Sequence, residues 1–592
     1  MKNFFKMVLA SFVGMTIASA VGLFCLFMLI GIVSSSISSL TATTDAVKLK
    51  VKPNSILRIM LDQPITERSQ SDFSSSLSSR SLSVTHNTGL NDILKAIDRA
   101  ADDPNITLIY LDLSAFSAGL AHTEEIRNAL DRFKESGKPI VAYGDNYSQL
   151  AFYLATVADR VYLNPFGSAS LSGLGAEVMF YKGLLDKLKI EMQVIRHGKF
   201  KSAVEPFTAD RMSAENREQY LSFINAIWGH ITDRIATARQ IEPARLQQLV
   251  NTLGLESAQQ SLENGMVDKL LYKDELLGIL CELTGVTSDE NLLMVDVSDY
   301  GFSPYKQAIG RDKIAVVYAD GEIKMGKSEK NITAWNYANI LRQIRHDGTV
   351  KAVVFRVNSP GGSAQASEII ARELSLLQAE KPVVVSMSNY AASGGYWIAM
   401  PSDKIIVNPL SLTGSIGVFG LLPNFKRTMN DHLGITTDVV QSNTSADYPS
   451  VTRPLTAHER RTMQESVEFV YTQFVAKVSE SRELSPERVD ELGQGRVWSG
   501  IDAVRLGLAD ELGGLTEAIA AAAGLAELDL YRTVEYPAIG NPFEQLLRSL
   551  MKGEASIKTP LPDEISALEH LYNNINKPGV YARLPYELSI EN

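Results

Sequence analysis

Short runs of consecutive apolar residues recur along the chain, and longer stretches with apolar residues at helical spacing separate them. Continuous apolar runs of this length are typical of strands that are buried on both faces of a parallel sheet. We predict such strands at residues 55–60, 107–111, 139–141, 160–163, 352–355, 382–385 and 404–407. Helices are predicted from about Glu124 and from about Glu368, each ending near a Lys-Pro pair. This alternation predicts an α/β fold with mostly parallel sheets.

The same pattern occurs twice in the chain. Lys-Pro-Ile-Val at 138–141 and Asn-Tyr at 146–147 recur as Lys-Pro-Val-Val at 381–384 and Asn-Tyr at 389–390. Towards the end of each copy, Gly-Met-Val-Asp at 265–268 corresponds to Gly-Leu-Ala-Asp at 507–510, at almost the same offset. An offset that is held over hundreds of residues predicts a tandem duplication.

The chain, at 592 residues, is too long for one ordinary hydrophobic core. We divide it into an N-terminal anchor and tether (1–45), a first α/β repeat (46–310), a second α/β repeat (311–537) and a C-terminal extension that belongs to neither copy (538–592). The serine-rich stretches from Ser34 to Thr44 and from Ser69 to Ser83 are predicted to be a tether and a mobile loop.

No charged residue occurs between Met7 and Val33. As a helix this run would be about 40 Å long, which exceeds the roughly 30 Å of hydrocarbon in a bilayer. The apolar core of a cleaved secretory signal is only about 7–15 residues long. We therefore predict one uncleaved transmembrane helix, in contact with the lipid bilayer through residues 7–33. Lysines before the predicted span favour a cytoplasmic N-terminus, and lysines soon after the span weaken that preference. The large domain that follows the span favours a body exported across the membrane.

The composition, with 45% hydrophobic and 21% charged residues, is that of a folded globular protein. The net charge of −11 argues against nucleic acid as a partner, because binding it needs a basic surface. The two cysteines, Cys25 and Cys281, form neither a disulfide framework nor a zinc motif. None of the eight histidines lies in a convincing catalytic triad or metal motif. No metal site and no cofactor are therefore predicted.

The two copies differ where chemistry is expected. Ser393 in the second copy aligns with Leu150 in the first, so a possible nucleophile exists in one copy only. The segment of the first copy that contains Lys201 aligns near Ala446 of the second, where the lysine is absent. A serine in one half and a lysine in the other suggest a single active site assembled from two diverged copies.

Ser393 lies in Ala-Ala-Ser-Gly-Gly-Tyr-Trp, after a buried strand and at a predicted helix start. Its small neighbours allow a substrate backbone to come close, and N–H groups near Gly394 suit an oxyanion. The alternative is a helix cap with glycines that serve tight packing. Gly361 and Gly362 follow another buried strand and can also present N–H groups to an oxyanion, or form an ordinary strand-to-helix loop with Ser363 as a cap.

Lys201 is a candidate general base. A lysine acts as a base only when its amine is neutral, and burial in an apolar site lowers its pKa. Phe200 and Val204 could supply such surroundings, although a surface lysine is the commoner alternative. Ser415, in Leu-Thr-Gly-Ser-Ile-Gly, is open to three interpretations: a residue that orients the lysine, a turn serine, or a rival nucleophile.

Taken together, these motifs resemble the signal peptide peptidase A (protease IV) family in its long bacterial form. The matching stretches run in order from the anchor to about residue 535, and the most specific are 144–149, 200–207, 391–397 and 412–417. The resemblance implies a crotonase/Clp-protease-like fold in each repeat. It also implies a serine–lysine dyad in which Ser393 is the nucleophile and Lys201, rather than Lys199, is the general base. Ser415 matches the serine that holds the lysine, and Gly361 and Gly362 match the oxyanion loop.

The resemblance further implies a serine endopeptidase that degrades signal peptides and other apolar peptides through an acyl-enzyme, without a cofactor. It implies an anchor in the bacterial inner membrane, a body in the periplasm and a homotetramer. Two alternatives are an acyl-CoA enzyme on a crotonase-like fold and a non-catalytic membrane scaffold. The anchor and the divided serine–lysine pattern count against the first, and the retention of Ser393 and Lys201 counts against the second.

Overall fold

The computed structural model describes residues 51–76, 81–302, 310–326, 328, 331–538 and 580–583. The predicted membrane span, residues 7–33, and the predicted tether lie outside this part of the chain. Within the part that is described, no helix is both long and apolar enough to cross a membrane.

The first repeat is built on a six-stranded parallel sheet. Its strands, in spatial order, are Lys269–Leu270, Arg160–Leu163, Ile140–Gly144, Ile106–Phe116, Ser55–Leu61 and Leu293–Asp296. The central strands are almost completely buried, as their continuous apolar runs predict.

The second repeat has the same strand order in its main sheet. The corresponding strands are Glu511–Leu512, Lys404–Val407, Val383–Ala392, Val350–Ser359, Lys313–Asp320 and Arg532–Tyr536. Two further strands, Leu412–Gly414 and Val497–Ser499, continue this sheet at the carboxyl end of Val383–Ala392. The shared order confirms the α/β class and the tandem duplication.

Helices connect and cover the two sheets. Those of the first repeat are Leu90–Asp102, Leu120–Phe133, Gln149–Ala155, Lys182–Lys187, Glu205–Thr208, Ala214–Arg239, Pro243–Asn251, Ala258–Glu263, Lys273–Thr284 and Val297–Phe302. Those of the second are Ala334–His346, Ala364–Gln378, Gly394–Trp397, Ala457–Arg482, Pro486–Leu492, Gly500–Arg505 and Leu515–Leu525. The helices predicted from about Glu124 and Glu368 both begin a turn earlier. In the second case the Ser363 side chain caps the helix by accepting a hydrogen bond from the Ala366 amide.

A third sheet contains strands from both repeats and from the C-terminal extension. Its order is Ile332–Thr333, Ile323–Lys324, Gly361–Ser363, Val580–Arg583, Phe419–Asn424 and Glu191–Arg196. The last two strands form an antiparallel ladder between the repeats, from Phe419 opposite Arg196 to Asn424 opposite Glu191. This ladder fixes the segment that follows Arg196, which contains Lys201, against the second repeat.

Buried ion pairs also join the repeats. Arg356 of the second repeat is completely buried, and its guanidinium lies 2.8 Å from Glu67 and 2.7 Å from Glu125, both of the first repeat. The hydroxyls of Ser386 and Ser388 accept its remaining hydrogen bonds. Because an unpaired buried charge is strongly destabilising, these contacts favour one relative placement of the repeats.

The stretch from Ser69 to Ser83, predicted to be a loop without packed elements, forms strands in the residues that the structure describes. Strands Gln70–Ser76 and Ser81–Asn87 pair there as an antiparallel hairpin, with Gln70 opposite Asn87 and Ser76 opposite Ser81. Backbone N–H and C=O groups pair in a ladder whatever the side chain, so a high serine content does not prevent strand formation.

Candidate active site

Three of the predicted site residues meet between the two repeats. Lys201 precedes the short helix Glu205–Thr208, and its Nζ lies 2.8 Å from Ser393 Oγ. The same nitrogen lies 3.0 Å from Ser415 Oγ and 3.3 Å from the Ser415 carbonyl oxygen. All three residues have 0% of their surface exposed. The structure thus brings the lysine of one copy and the serines of the other into one buried cluster.

The surroundings of Lys201 favour its neutral form. Burial lowers the pKa of its amine from 10.5 to about 7, because desolvation penalises the charged ammonium. A neutral amine has two N–H donors and one lone pair. The two N–H groups can donate to the two oxygens of Ser415, which leaves the lone pair to accept the proton of the Ser393 hydroxyl. The geometry therefore suits a base that is aimed at Ser393.

Ser393 joins the strand Val383–Ala392 to the helix Gly394–Trp397. Its backbone has φ 56° and ψ −116°, a conformation that is rarely adopted by residues other than glycine. The Ser393 amide donates to the Gly414 carbonyl at 2.8 Å. Its side chain makes no capping hydrogen bond to the helix, so the helix-cap alternative does not describe this serine. Strain of this kind is common where a side chain must be held for function.

Ser415 is held by hydrogen bonds to the turn that contains Gly495 and Arg496. Its amide donates to the Arg496 carbonyl at 2.7 Å, and its hydroxyl donates to the Gly495 carbonyl at 3.3 Å. Because that hydroxyl proton is directed at Gly495, the Ser415 oxygen is free to accept from the Lys201 amine. This arrangement favours an orienting role for Ser415 over the role of rival nucleophile.

The predicted oxyanion glycines lie beside the same helix. A Cβ atom added to Gly395 would come within 2.6 Å of the Ser359 carbonyl oxygen, so the strand Gly361–Ser363 starts next to the helix that begins after Ser393. A Cβ on Gly362 would come within 2.0 Å of the Ile323 carbonyl, and no side chain fits there. The Gly361 amide donates to Ser359 Oγ at 3.2 Å. That hydrogen bond occupies the Gly361 N–H, so Gly362 and Gly394 are the better candidates for oxyanion donors.

Two glycines to which the sequence analysis assigned no role make room for Lys201. A Cβ on Gly495 would lie 2.6 Å from the Lys201 Cβ, and one on Gly417 would lie 3.2 Å from the Lys201 Cδ. Gly495 also has φ 87°, which favours glycine. The Gly-Gln-Gly sequence at 493–495 signals a turn, but nothing in it indicates a contact with a lysine almost three hundred positions away.

Gln219 is a second residue that the sequence reasoning missed. It is completely buried, and its Nε2 donates to the Phe200 carbonyl at 3.2 Å and to Ser202 Oγ at 2.9 Å. Its Oε1 accepts from the Val497 amide at 3.2 Å. Gln219 therefore holds the residues on both sides of Lys201 and ties them to the second repeat.

Gln219→Met is expected to lower kcat about ten- to a hundredfold with little change in KM, because a small displacement of the lysine disturbs its alignment with Ser393. Steady-state kinetics, together with thermal unfolding, would test this. Gln247→Met, at an exposed glutamine whose hydrogen bond is to Asn251, is the control. An equal loss of kcat in both variants, or a rise in KM alone, would contradict the idea that Gln219 positions Lys201.

A family model and several known proteins match this chain. The model described as "Peptidase family S49" matches residues 132–287 and 375–529, one region in each repeat. "Protease 4" of Salmonella typhi is 37% identical over 520 residues, which cover 86% of this chain and 83% of that protein. The chain belongs to peptidase family S49. "Serine protease SPPA, chloroplastic" of Arabidopsis thaliana is 32% identical over 506 residues, covering 84% of this chain and 73% of that protein. "Putative signal peptide peptidase SppA" of Enterococcus faecium is 36% identical over 179 residues, covering 30% and 52%.

Membership of family S49 confirms the resemblance derived from the motifs, and it identifies the chain as a serine protease rather than an acyl-CoA enzyme or a non-catalytic scaffold. The first S49 region contains Lys201, and the second contains Ser393 and Ser415. Gly361 and Gly362 lie before the second region. The matched parts of the family model therefore span both halves of the cluster described above.

Proposed function

We propose that this S49 protease hydrolyses peptides with a Ser393–Lys201 dyad formed within one chain. The observation that carries this proposal is the 2.8 Å distance between Lys201 Nζ and Ser393 Oγ in a fully buried site. Burial lowers the pKa of the lysine to about 7, so much of it is neutral near neutral pH. A serine beside a neutral amine is an activated nucleophile, because the amine can take the hydroxyl proton as the oxygen attacks.

The reaction then follows from the contacts. Lys201 takes the Ser393 proton while Oγ bonds to the peptide carbonyl carbon, and backbone N–H groups at Gly362 and Gly394 stabilise the oxyanion. The lysine returns the proton to the leaving amine, and an acyl-enzyme on Ser393 remains. Lys201 next takes a proton from water, whose oxygen attacks the ester, and the Ser393 hydroxyl is regenerated with release of the carboxylate product.

Apolar peptides, including signal peptides left after export, are the proposed substrates. The name of the Enterococcus faecium relative supports this class. We also propose the single transmembrane helix at residues 7–33, because that run carries no charge. A bacterial inner-membrane location with the body in the periplasm, which the resemblance implies, is part of the same proposal. A crotonase/Clp-protease-like fold in each repeat, implied by the resemblance, belongs to the same proposal.

A homotetramer is the proposed assembly, and the duplication supports self-association. Within the chain, Glu191–Arg196 of the first repeat pairs with Phe419–Asn424 of the second. By the offset between the copies, the counterparts of these strands are residues 434–439 and 176–181. Neither segment forms a strand in the structure as described, and residues 434–439 are exposed. The same pairing between neighbouring chains would be head-to-tail, and head-to-tail contacts form a ring when the rotation from one chain to the next closes.

The pH dependence of hydrolysis tests the dyad. We expect kcat/KM to fall as the pH drops below about 7, approaching tenfold per pH unit, because only the neutral amine of Lys201 can accept the serine proton. Initial rates of cleavage of an apolar peptide, measured from pH 5.5 to 9, would give this profile. Circular dichroism at each pH checks that the chain stays folded. A rate that is flat or rises on acidification would contradict a lysine base.

A further inference from the structure

The helix Leu120–Phe133 of the first repeat begins without a capping side chain of its own. The residue before it is Gly119, whose backbone has the φ −71° and ψ 163° of an N-cap residue. In the second repeat the corresponding helix, Ala364–Gln378, is capped by the side chain of Ser363. The first N–H groups of a helix have no partner within the helix, so a helix that starts in the interior needs an acceptor from elsewhere.

An asparagine of the second repeat supplies this acceptor. The Ala121 amide, which is buried, donates to Asn389 Oδ1 at 3.0 Å. Ala121 is the second residue of the helix, one of the positions to which a cap side chain binds. A Cβ atom added to Gly119 would lie 2.5 Å from the same oxygen, so the asparagine amide fills the space beside the glycine. The Ala121 carbonyl also accepts from Asn408 Nδ2 at 3.2 Å. Two asparagines of the second repeat therefore hold this helix start.

Asn389 lies on the strand Val383–Ala392, which ends directly before Ser393. The strand is irregular at this point, because Asn389 and its two neighbours together lie opposite the single residue Asn358. The Tyr390 amide donates there to the Asn358 side chain at 3.3 Å. Irregularities of this kind change the direction of side chains next to active sites. The placement of the strand end therefore depends on side-chain contacts such as the one made by Asn389.

The matching asparagines of the first repeat bind within their own repeat. Asn146, of the corresponding Asn-Tyr pair, accepts from the Ser168 amide at 3.1 Å. Asn164, of the Asn-Pro pair that corresponds to Asn408, donates to Asp145 at 3.0 Å. The contacts with the other repeat are therefore made by the copy that carries the candidate nucleophile.

We propose that Asn389 is a positioning residue, which binds the helix start at Gly119 and thereby fixes the strand end that presents Ser393. The inference rests on the proposed function, since it takes Ser393 as the nucleophile. The first repeat then contributes to the reaction twice, through Lys201 and through the helix that holds the strand of the nucleophile. Because Asn389 acts through the backbone that carries Ser393, its loss should lower kcat and leave KM nearly unchanged.

Asn389→Ala is expected to lower kcat for an apolar peptide about ten- to thirtyfold. Asn389→Asp keeps an accepting oxygen and should retain about half of the wild-type kcat or more, because a carboxylate also suits a helix start. Asn146→Ala removes the matching asparagine of the first repeat and is the control, with kcat expected to change less than about twofold. Initial rates over a range of peptide concentrations separate kcat from KM.

Gly119→Ser separates positioning of the nucleophile from stabilisation of the helix. Ser148 caps its own helix with φ −65° and ψ 163°, so a serine is compatible with the backbone angles at Gly119. The introduced side chain would cap the helix locally and displace the Asn389 amide, with which its Cβ would overlap. We expect Gly119→Ser to keep the wild-type melting temperature and to lower kcat as Asn389→Ala does. The double variant should lose no more than either single variant, because both substitutions break the same contact.

Circular dichroism and thermal unfolding show whether each variant is folded. A wild-type kcat in Asn389→Ala, or in a folded Gly119→Ser enzyme, would overturn the inference, because the contact would then serve stability alone. Failure of the proposed function is a separate result, since Ser393→Ala would then still hydrolyse the peptide. If Ser393→Ala is inactive while the Asn389 and Gly119 variants keep the wild-type kcat, only the positioning role fails.

Discussion

Ser393→Ala is expected to remove peptide hydrolysis almost entirely, with a loss in kcat on the order of 10⁴-fold or more. The Ser393 hydroxyl oxygen lies 2.8 Å from the Lys201 amine nitrogen and 3.5 Å from the Gly417 carbonyl oxygen. Removing it leaves the base without a proton to accept and leaves no oxygen to form the acyl-enzyme. Cleavage of an apolar peptide, followed by chromatography over long incubations, would measure the residual rate.

Ser415→Ala is the matched comparison, because Ser415 is the rival nucleophile and contacts the same amine. Its hydroxyl proton is directed at the Gly495 carbonyl, so we expect it to orient the lysine and its loss to lower kcat by only about ten- to a hundredfold. Mass spectrometry of the enzyme mixed briefly with an activated ester should detect an acyl adduct in Ser415→Ala and none in Ser393→Ala. An adduct in Ser393→Ala and none in Ser415→Ala would make Ser415 the nucleophile and Ser393 the orienting residue.

The sequence predicts best those strands that coincide with a continuous run of apolar residues. The strands Arg160–Leu163 and Lys404–Val407 lie where their apolar runs end in Asn-Pro. The duplication was visible because the offset between copies is nearly constant. The same comparison singled out Ser393 and Lys201, each present in one copy only, and the structure places them in contact.

The remaining features depend on contacts between distant segments. Gln219 and Gly495 are ordinary residues of a helix and a turn, and only the folded chain places them around Lys201. The third sheet is built from strands as short as Ile323–Lys324, which are too short for any hydrophobic period to be recognised. Val580–Arg583 likewise forms a strand because two open edges lie beside it.

Lys201→Met is expected to lower kcat by about 10³- to 10⁴-fold, because methionine keeps a similar shape and removes the base that lies 2.8 Å from the Ser393 hydroxyl. The loss should not come from unfolding. Since the folded chain lowers the pKa of Lys201 from 10.5 to about 7, the unfolded chain binds more protons between those values, and stability rises with pH in that window. The buried amine therefore costs stability at neutral pH, and the methionine variant should melt at the same temperature as the wild type or higher.

Lys199→Met is the control that separates the two lysines of this segment. Lys199 is exposed and its Nζ lies 5.2 Å from the centre of the Phe200 ring, so its removal should change kcat less than about threefold. Residual hydrolysis by Lys201→Met should also lose the dependence on pH near 7, because the group that titrates there is gone. If Lys199→Met were inactive and Lys201→Met active, the base would be misassigned. If Lys201→Met kept the wild-type pH profile, the buried amine would not be the group that controls the rate.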